Sequence, residues 1–222
     1  MSDPTHGSTG VRTGVLTTVH LMRHGEVHNP EGVLYGRLPG YRLSVRGEQQ
    51  AATVAEALVD EDITVLLASP MERAQQTAAP IAKSHDLEVL TEPGLIEAAN
   101  QFEGRRFGVG DGALWHPEVW PKLINPFKPS WGEPYVEIAA RMRASVARAR
   151  ELATGHTAVC VSHQLPIWTA RRNFEGKRMW HDPRQRQCGL ASLTTLVFDG
   201  DVLVELRYRE PAGASDPKVT GA

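Results

Sequence analysis

The chain has 222 residues, 41% hydrophobic, 23% charged and 6% aromatic, with a formal net charge of −2. That apolar content supports a sizeable core and excludes wholesale disorder, and the length suits one domain better than two. The near-neutral charge removes the electrostatic case for a nucleic-acid or membrane-surface protein, although arginine outnumbers lysine by 19 to 5 and is the side chain that grips phosphates with paired bonds.

Residues 1–14 are rich in Ser, Thr and Gly and lack the apolar centre of a signal peptide. They read as a flexible tail, as do residues 211–222, leaving 15–210 as the folded domain. Val15–Met22 is a β-branched apolar run that predicts a strand. Ser44 is placed to cap a helix in which Ala51, Ala55, Leu58 and Val59 recur every three or four residues. Ile63–Ala68 predicts a second strand, and Ser69-Pro70 a cap and first helical residue for a helix running towards Ala82. Pro80 should kink or shorten that helix. Leu87–Thr91 predicts a third strand.

From Pro93 to Pro134 the chain is rich in Pro, Gly and Trp, with one short helix expected at His116–Ile124. Trp115, Trp120, Trp131 and Phe127 read as lid or core packing, and 98–132 as a lid-like insertion. Tyr135–Ala153 is the clearest helix, with an apolar stripe of Ile138, Met142, Val146, Ala149 and Ala153. Thr157–Val161 predicts a fourth strand and Leu165–Phe174 a helix, and Leu190–Phe198 and Val202–Tyr208 flank the hairpin signal Asp199-Gly200. Continuous apolar strands alternating with helices predict an α/β fold, a three-layer α/β/α sandwich with a mostly parallel central sheet. The hairpin offers an edge strand through which a homodimer can form. Two cysteines are too few for a disulfide framework or a Cys-based zinc site, and Cys160 reads as a core thiol. No apolar stretch approaches the ~18–20 residues of a membrane span, so a cytoplasmic protein without a membrane partner is expected.

In such sheets ligands bind beyond the carboxyl ends of the strands. Those ends carry Arg23-His24-Gly25, then Ser69 to Arg73, then Glu97 a little further on, then Ser162-His163. Two arginines can hold a dianionic phosphoryl group, and a neutral imidazole can attack phosphorus and carry it. The second histidine, if protonated, adds charge for the equatorial oxygens. The Glu can protonate the leaving oxygen and later deprotonate water. Cationic side chains then do the work of a metal, and no cofactor is implied. His24, Glu26 and His28 have the spacing of a zinc-binding helix, but this segment follows a strand and runs into Asn29-Pro30, so no metal is expected.

These residues sit in a longer pattern. Leu21-Met22-Arg23-His24-Gly25-Glu26 is followed by Gly36-Arg37, Leu43-Ser44, Gly47 and Gln50-Ala51. Ser69-Pro70, Arg73-Ala74 and Gln76-Thr77-Ala78 come next, then Leu95-Ile96-Glu97 with Phe102-Glu103-Gly104. Gly132-Glu133 with Arg141 and Val161-Ser162-His163 complete it. The order and spacing resemble the RHG-motif branch of the histidine phosphatase superfamily, the phosphoglycerate mutase-like group, from Val15 to about Phe198.

The resemblance implies that His24 is the phosphohistidine nucleophile and that Arg23, Arg73 and His163 form the phosphate pocket. It makes Glu97 the acid/base; on the residues alone, Glu103 and Glu26 are the alternative acids. Arg37, Asn29 and Gln164 would contact substrate. The chain departs from the family pattern where Pro30 stands in place of the mutases' asparagine, at Gln164, and from Ala98 to Gln101. Because Gln164 rather than Asp follows His163, the mutase and small-phosphatase group fits better than the acid phosphatases. The expected activity is metal-independent hydrolysis of a small phosphorylated substrate. The alternatives are a phosphoglycerate-type mutase and an idle protein that binds a phosphorylated partner or nucleic acid through the basic run Arg171, Arg172, Lys177, Arg178, Arg184 and Arg186. That run reads as a solvated surface, so no nucleic-acid partner is expected.

Overall fold

The computed structural model describes residues 12–100, 103–104, 132–182 and 185–214. Strand β1 (Leu16–Arg23) leads through a loop to helix α1 (Val45–Ala57), then β2 (Ile63–Ala68) and α2 (Glu72–His85). A two-residue strand, β3 (Leu90–Thr91), precedes a single 3₁₀ turn at Pro93–Leu95. Helix α3 (Tyr135–Leu152), β4 (Thr157–Ser162), α4 (Gln164–Phe174), β5 (Leu193–Asp199) and β6 (Val202–Arg209) follow. The helix expected at His116–Ile124 and Trp115, Trp120, Phe127 and Trp131 of the lid-like insertion lie outside the described residues.

The six strands form one sheet in the order β3-β2-β4-β1-β5-β6. β3, β2, β4 and β1 pair in parallel, β5 pairs antiparallel with β1, and β6 antiparallel with β5. Only β5 therefore runs against the rest, and β6 is an edge. Period-two alternation splits the strand side chains between two cores. Leu21, Leu67 and Cys160 pack with Ile138, Met142 and Val146 of α3 and Ile167 of α4. Met22, Leu66 and Val159 pack on the opposite face with Val54 of α1 and Ala74, Ala78 and Ile81 of α2. Both faces are covered, which is why these strands read as continuous apolar runs.

Two expectations about α2 are corrected. The helix begins at Glu72 with Met71 at its cap position, not at Ser69-Pro70; the Ser69 hydroxyl meets His163 Nε2 at 2.8 Å and accepts from the Met71 N–H at 3.3 Å, ahead of the first helical turn. Pro80 does not shorten the helix, which runs to His85 and closes at Asp86 in the left-handed conformation. The buried row Ala74, Ala78 and Ile81 spans the proline and anchors both halves to the sheet. β3 is also shorter than the predicted Leu87–Thr91, and both of its residues are exposed at the sheet edge. Ser44 does cap α1, accepting from the Gly47 N–H at 3.1 Å.

Register places the chemistry. Arg23 pairs with Ser162 across β1 and β4, and Ala68 with Val161 across β2 and β4. The His24 N–H then donates to the Ser162 carbonyl at 3.1 Å, and the Ser69 N–H to Val161 at 2.9 Å. Three strands thus end level and deliver Arg23-His24, Ser69 and Ser162-His163 to one edge. The loop after β1 presses on α1 so closely that a Cβ on Gly47 would run into the Glu26 carbonyl, and one on Gly25 would meet the Gly47 carbonyl. Two glycines of the sequence pattern are explained by this backbone contact.

Candidate active site

Arg23, His24, Arg73, Glu97 and His163 are all buried and meet at the carboxyl end of β1, β2 and β4. The His24 and His163 rings lie edge to face with centroids 5.1 Å apart. Nδ1–H of His24 donates to the Gly25 carbonyl at 2.8 Å, which leaves the lone pair on Nε2, an atom with no hydrogen-bond partner. Burial, and then the charges of Arg73 and Arg23, hold the His24 imidazole well below its ordinary pKa and hence neutral.

Arg73, on α2, donates NH2 to the Gly36 carbonyl at 2.7 Å and lies 3.2 Å from His163 Nδ1 through the same nitrogen. Its guanidinium stacks over the Tyr35 ring, 4.8 Å from the centroid, while Nε and NH1 have no partner. Gly36 has a positive φ of 41°, and a Cβ there would collide with the Glu103 carboxylate. Arg23 donates NH1 to the Cys188 carbonyl at 2.7 Å, and its Nε and NH2 are also unpartnered. Seven of the eleven buried, unpartnered side-chain polar atoms among the described residues belong to Arg23, His24, Tyr35, Arg73 and Glu97. Because buried polar groups in folded proteins are nearly always paired, such a concentration sets this cluster apart as the candidate site for a polar ligand.

His163 accepts at Nδ1 from Arg73, so its proton sits on Nε2 and is donated to Ser69 Oγ. Burial, then repulsion from Arg73, His24 and Arg23, keep it neutral in the protein alone. Glu97 places Oε2 3.8 Å from His163 Nδ1 and leaves that oxygen without a hydrogen bond, while Oε1 accepts from the Ala98 N–H at 2.8 Å. Burial raises the Glu97 pKa, opposed by the Ala98 N–H and by Arg73, Arg23 and Arg186. The other two carboxylates are engaged elsewhere. Glu26 accepts from the Ser44 hydroxyl at 2.8 Å, and Glu103 from the Arg37 N–H at 3.0 Å.

The three expected substrate contacts are placed differently. Both ends of the Asn29 amide bond to the Val33 backbone, at 2.8 and 3.1 Å, and clasp their own loop. Arg37 donates to the Glu97 carbonyl at 2.7 Å and to Glu133 at 2.9 Å, beside a cavity of about 570 Å³ lined also by Asn100, Glu103 and Glu137. Gln164, next to His163, contacts the Cys188 carbonyl and Arg186 at 3.4 and 3.5 Å.

The sequence gives no role to Tyr35 or Thr77, and places Ser162 at a strand end without naming its contact. Tyr35 stacks under Arg73, Thr77 links the Arg73 carbonyl at 2.7 Å to the Gly25 N–H at 3.1 Å, and Ser162 ties β4 to the Leu95 carbonyl at 2.7 Å. Thr77 and Ser162 lie inside the motif segments of the sequence pattern, which was the available signal. Arg186 reads as a surface charge in the sequence, yet it is half-buried, donates to His181 Nε2 at 2.9 Å and lies near Glu97. Arg171, in the same basic run, stacks over Trp168 and Tyr208 and pairs with Glu175.

Comparison with known proteins establishes the family. The family model of the histidine phosphatase superfamily (branch 1) matches residues 19–211. The chain belongs to that superfamily. It is 63% identical over 196 residues to an uncharacterized protein of Mycobacterium tuberculosis, covering 88% of this chain and 97% of the relative. A probable phosphoglycerate mutase of Escherichia fergusonii is 30% identical over 177 residues, 77% of this chain and 80% of that one. Among solved structures, phosphoserine phosphatase from Entamoeba histolytica in complex with 3-phosphoglyceric acid superposes with a TM-score of 0.70 at 25% identity, covering 88% and 99% of the two chains. The family is one of phosphatases and mutases, and the observed sheet and layers are those of its phosphoglycerate mutase-like members. Among the described residues, no helix is long and apolar enough to cross a membrane.

Proposed function

We propose that the protein is a metal-independent phosphomonoester hydrolase that works through a phosphohistidine on His24. The observation that carries this reading is the unpartnered, lone-pair-bearing Nε2 of a buried neutral His24, set among the uncommitted guanidinium nitrogens of Arg23 and Arg73.

A phosphoryl dianion among those nitrogens satisfies them with charge-assisted bonds. It also offsets the repulsion that keeps His163 neutral, so His163 can take a proton and add charge as the equatorial oxygens spread out. His24 Nε2 attacks phosphorus in line, the P–O ester bond breaks, and Glu97 gives its proton to the departing alkoxide. Glu97, now a carboxylate, takes a proton from water. The water oxygen attacks phosphorus, the P–N bond breaks, and inorganic phosphate leaves with His24 restored. Two guanidiniums and an imidazolium supply the positive charge that other enzymes take from magnesium.

A mutase shares the first half and returns the phosphoryl group to a substrate hydroxyl. The relative named as a probable mutase keeps that reading in play. Hydrolysis is favoured because Asn29, the nearest counterpart of the mutases' asparagine, is spent on its own loop. The deciding experiment incubates the pure protein with an aryl phosphate, and separately with 3-phosphoglycerate plus bisphosphoglycerate. Release of inorganic phosphate from the first with no positional exchange in the second is expected. Exchange faster than release overturns the hydrolase reading in favour of the mutase, and turnover of neither points to an idle binding protein.

A further inference from the structure

A proton-transferring group must be held within about 0.5 Å of its working position, yet among the described residues no side chain hydrogen-bonds to the Glu97 carboxylate. Its one bond comes from the neighbouring Ala98 N–H. Its order must therefore come through the backbone, and the backbone is gripped on both sides of the Glu97 Cα. Arg141 NH1 donates to the carbonyls of Gly94 at 2.7 Å and Ile96 at 2.6 Å. Arg37 Nε donates to the carbonyl of Glu97 itself at 2.7 Å. One carboxylate holds both arginines. Arg141 makes a two-pronged contact with Glu133, Nε to Oε1 at 2.7 Å and NH2 to Oε2 at 3.1 Å, and Arg37 NH2 joins Oε2 at 2.9 Å. The Glu133 N–H closes the bracket by donating to the Ala99 carbonyl at 3.0 Å.

Building on the reading of Glu97 as the acid/base, we propose that Glu133 is the positioning residue of the reaction, aiming Glu97 through Arg141 and Arg37. Arg37 then serves the chemistry by holding the Glu97 peptide, with Nε and NH2 both spent on the bracket. The charges explain why the centre is a carboxylate. Both guanidiniums meet at Oε2, so a neutral amide there would leave two cations facing one another. It would also leave their positive charge uncompensated beside Glu97, favouring the ionised carboxylate that cannot donate a proton.

The test compares wild type, Glu97→Gln, Glu133→Gln and Arg37→Ala on an alkyl and an aryl phosphate across pH, with circular dichroism and melting curves for each. An aryl leaving group departs without protonation, so only the alkyl substrate reports on the acid. Glu133→Gln should lose about 10²-fold on the alkyl phosphate, the scale of a misplaced reacting group, and less than about tenfold on enzyme phosphorylation by the aryl phosphate. The basic limb of its alkyl pH profile should move to lower pH. Arg37→Ala should show the same selectivity. Its side chain is one-third exposed, so it decides the matter if Glu133→Gln does not fold. Adding Glu133→Gln to Glu97→Gln should cost little more than Glu97→Gln alone. If Glu97→Gln shows no alkyl-selective loss, the acid assignment fails and the bracket falls with it. If Glu97→Gln is selective while the folded bracket variants lose both substrates equally, with the basic limb unmoved, the bracket alone is overturned.

Discussion

Replacing Arg73 by methionine separates what this buried arginine does for the fold from what it does for phosphate. In the protein alone, the Arg73→Met variant forfeits charged hydrogen bonds to the Gly36 carbonyl and to His163 Nδ1 and the stacking on Tyr35, together about 3.5–8 kcal/mol. Against that, two buried and unpartnered nitrogens, Nε and NH1, disappear, each a cost of about 1–3 kcal/mol, and the repulsion with Arg23 goes with them. At the middle of these ranges the terms differ by about 2 kcal/mol, a melting shift of about 4–8 °C for a domain of this size. The transition state fares differently. Losing two charge-assisted bonds worth about 1.5–3 kcal/mol each lowers kcat/KM by about 10²–10⁴-fold. The assay is aryl phosphate hydrolysis beside melting curves with and without orthovanadate. Vanadate copies the five-coordinate phosphorus, so it should raise the wild-type melting temperature and leave that of Arg73→Met unchanged. A variant that melts well over 10 °C lower, or keeps more than a tenth of wild-type kcat/KM, refutes the reasoning.

Further outcomes follow from the same geometry. Burial and two arginines lower the His24 pKa, while burial raises that of Glu97; attack needs neutral His24 and departure needs protonated Glu97. The alkyl phosphate profile should therefore be a bell with its acid limb below the ordinary imidazole value of about 6.5 and an optimum on the acid side of neutral, and Glu97→Gln should remove its basic limb. Chelation by EDTA should leave the rate unchanged, because arginine and histidine supply the charge; a rate restored only by added zinc or magnesium contradicts this. Gly36→Ala should lower both stability and activity, since the Cβ meets Glu103 and displaces the carbonyl that Arg73 holds, and a melting curve beside an aryl phosphate assay reads both. Away from the site, burial pushes Glu61 up but bonding to His20 and Arg209 outweighs it and brings its pKa to about 2. A depressed carboxyl stabilises the fold above its unfolded value and loses that stabilisation as pH falls towards the folded value. Because water screens a pair this exposed, Glu61→Gln should cost only about 1 kcal/mol at neutral pH, with the difference from wild type in urea unfolding shrinking between about pH 4 and pH 2.

Much of the fold was legible because burial on both faces leaves a plain trace. ITVLLA and TAVCVS have no polar alternation, and both run through the centre of the sheet. Ser44 announced α1 because a hydroxyl at that place satisfies the Gly47 N–H. The start of α2 misled for a chemical reason. Ser69 has the composition of a cap, but its hydroxyl bonds His163 and the Met71 N–H just ahead of the helix, and composition does not reveal where the first turn begins. Pro80 misled because the cost of one missing N–H is visible in sequence, whereas the apolar row that outweighs it is tertiary.

The site divides along the same line. Arg23, His24, Ser162 and His163 were readable because strand ends bring them together, and register does not depend on side-chain detail. Arg37 was readable as a charge near the site, yet its partners lie 60 and 96 residues away at Glu97 and Glu133. Arg186 looked like one cation among six and became a neighbour of Glu97 only through the packing of its loop on His181 and Gln164. Asn29 shows the converse, a residue close to the expected place whose amide is consumed four residues on.

Covalent transfer to His24 Nε2 is tested most directly by rapid quenching with labelled substrate. Mixing the wild type with a ³²P-labelled aryl phosphate and stopping within the first turnover should trap an acid-labile, base-stable phosphoprotein. The label should approach one phosphoryl group per chain, map to the peptide containing His24, and be missing from His24→Ala. Label on another residue, or undiminished labelling and turnover in His24→Ala, would contradict the account.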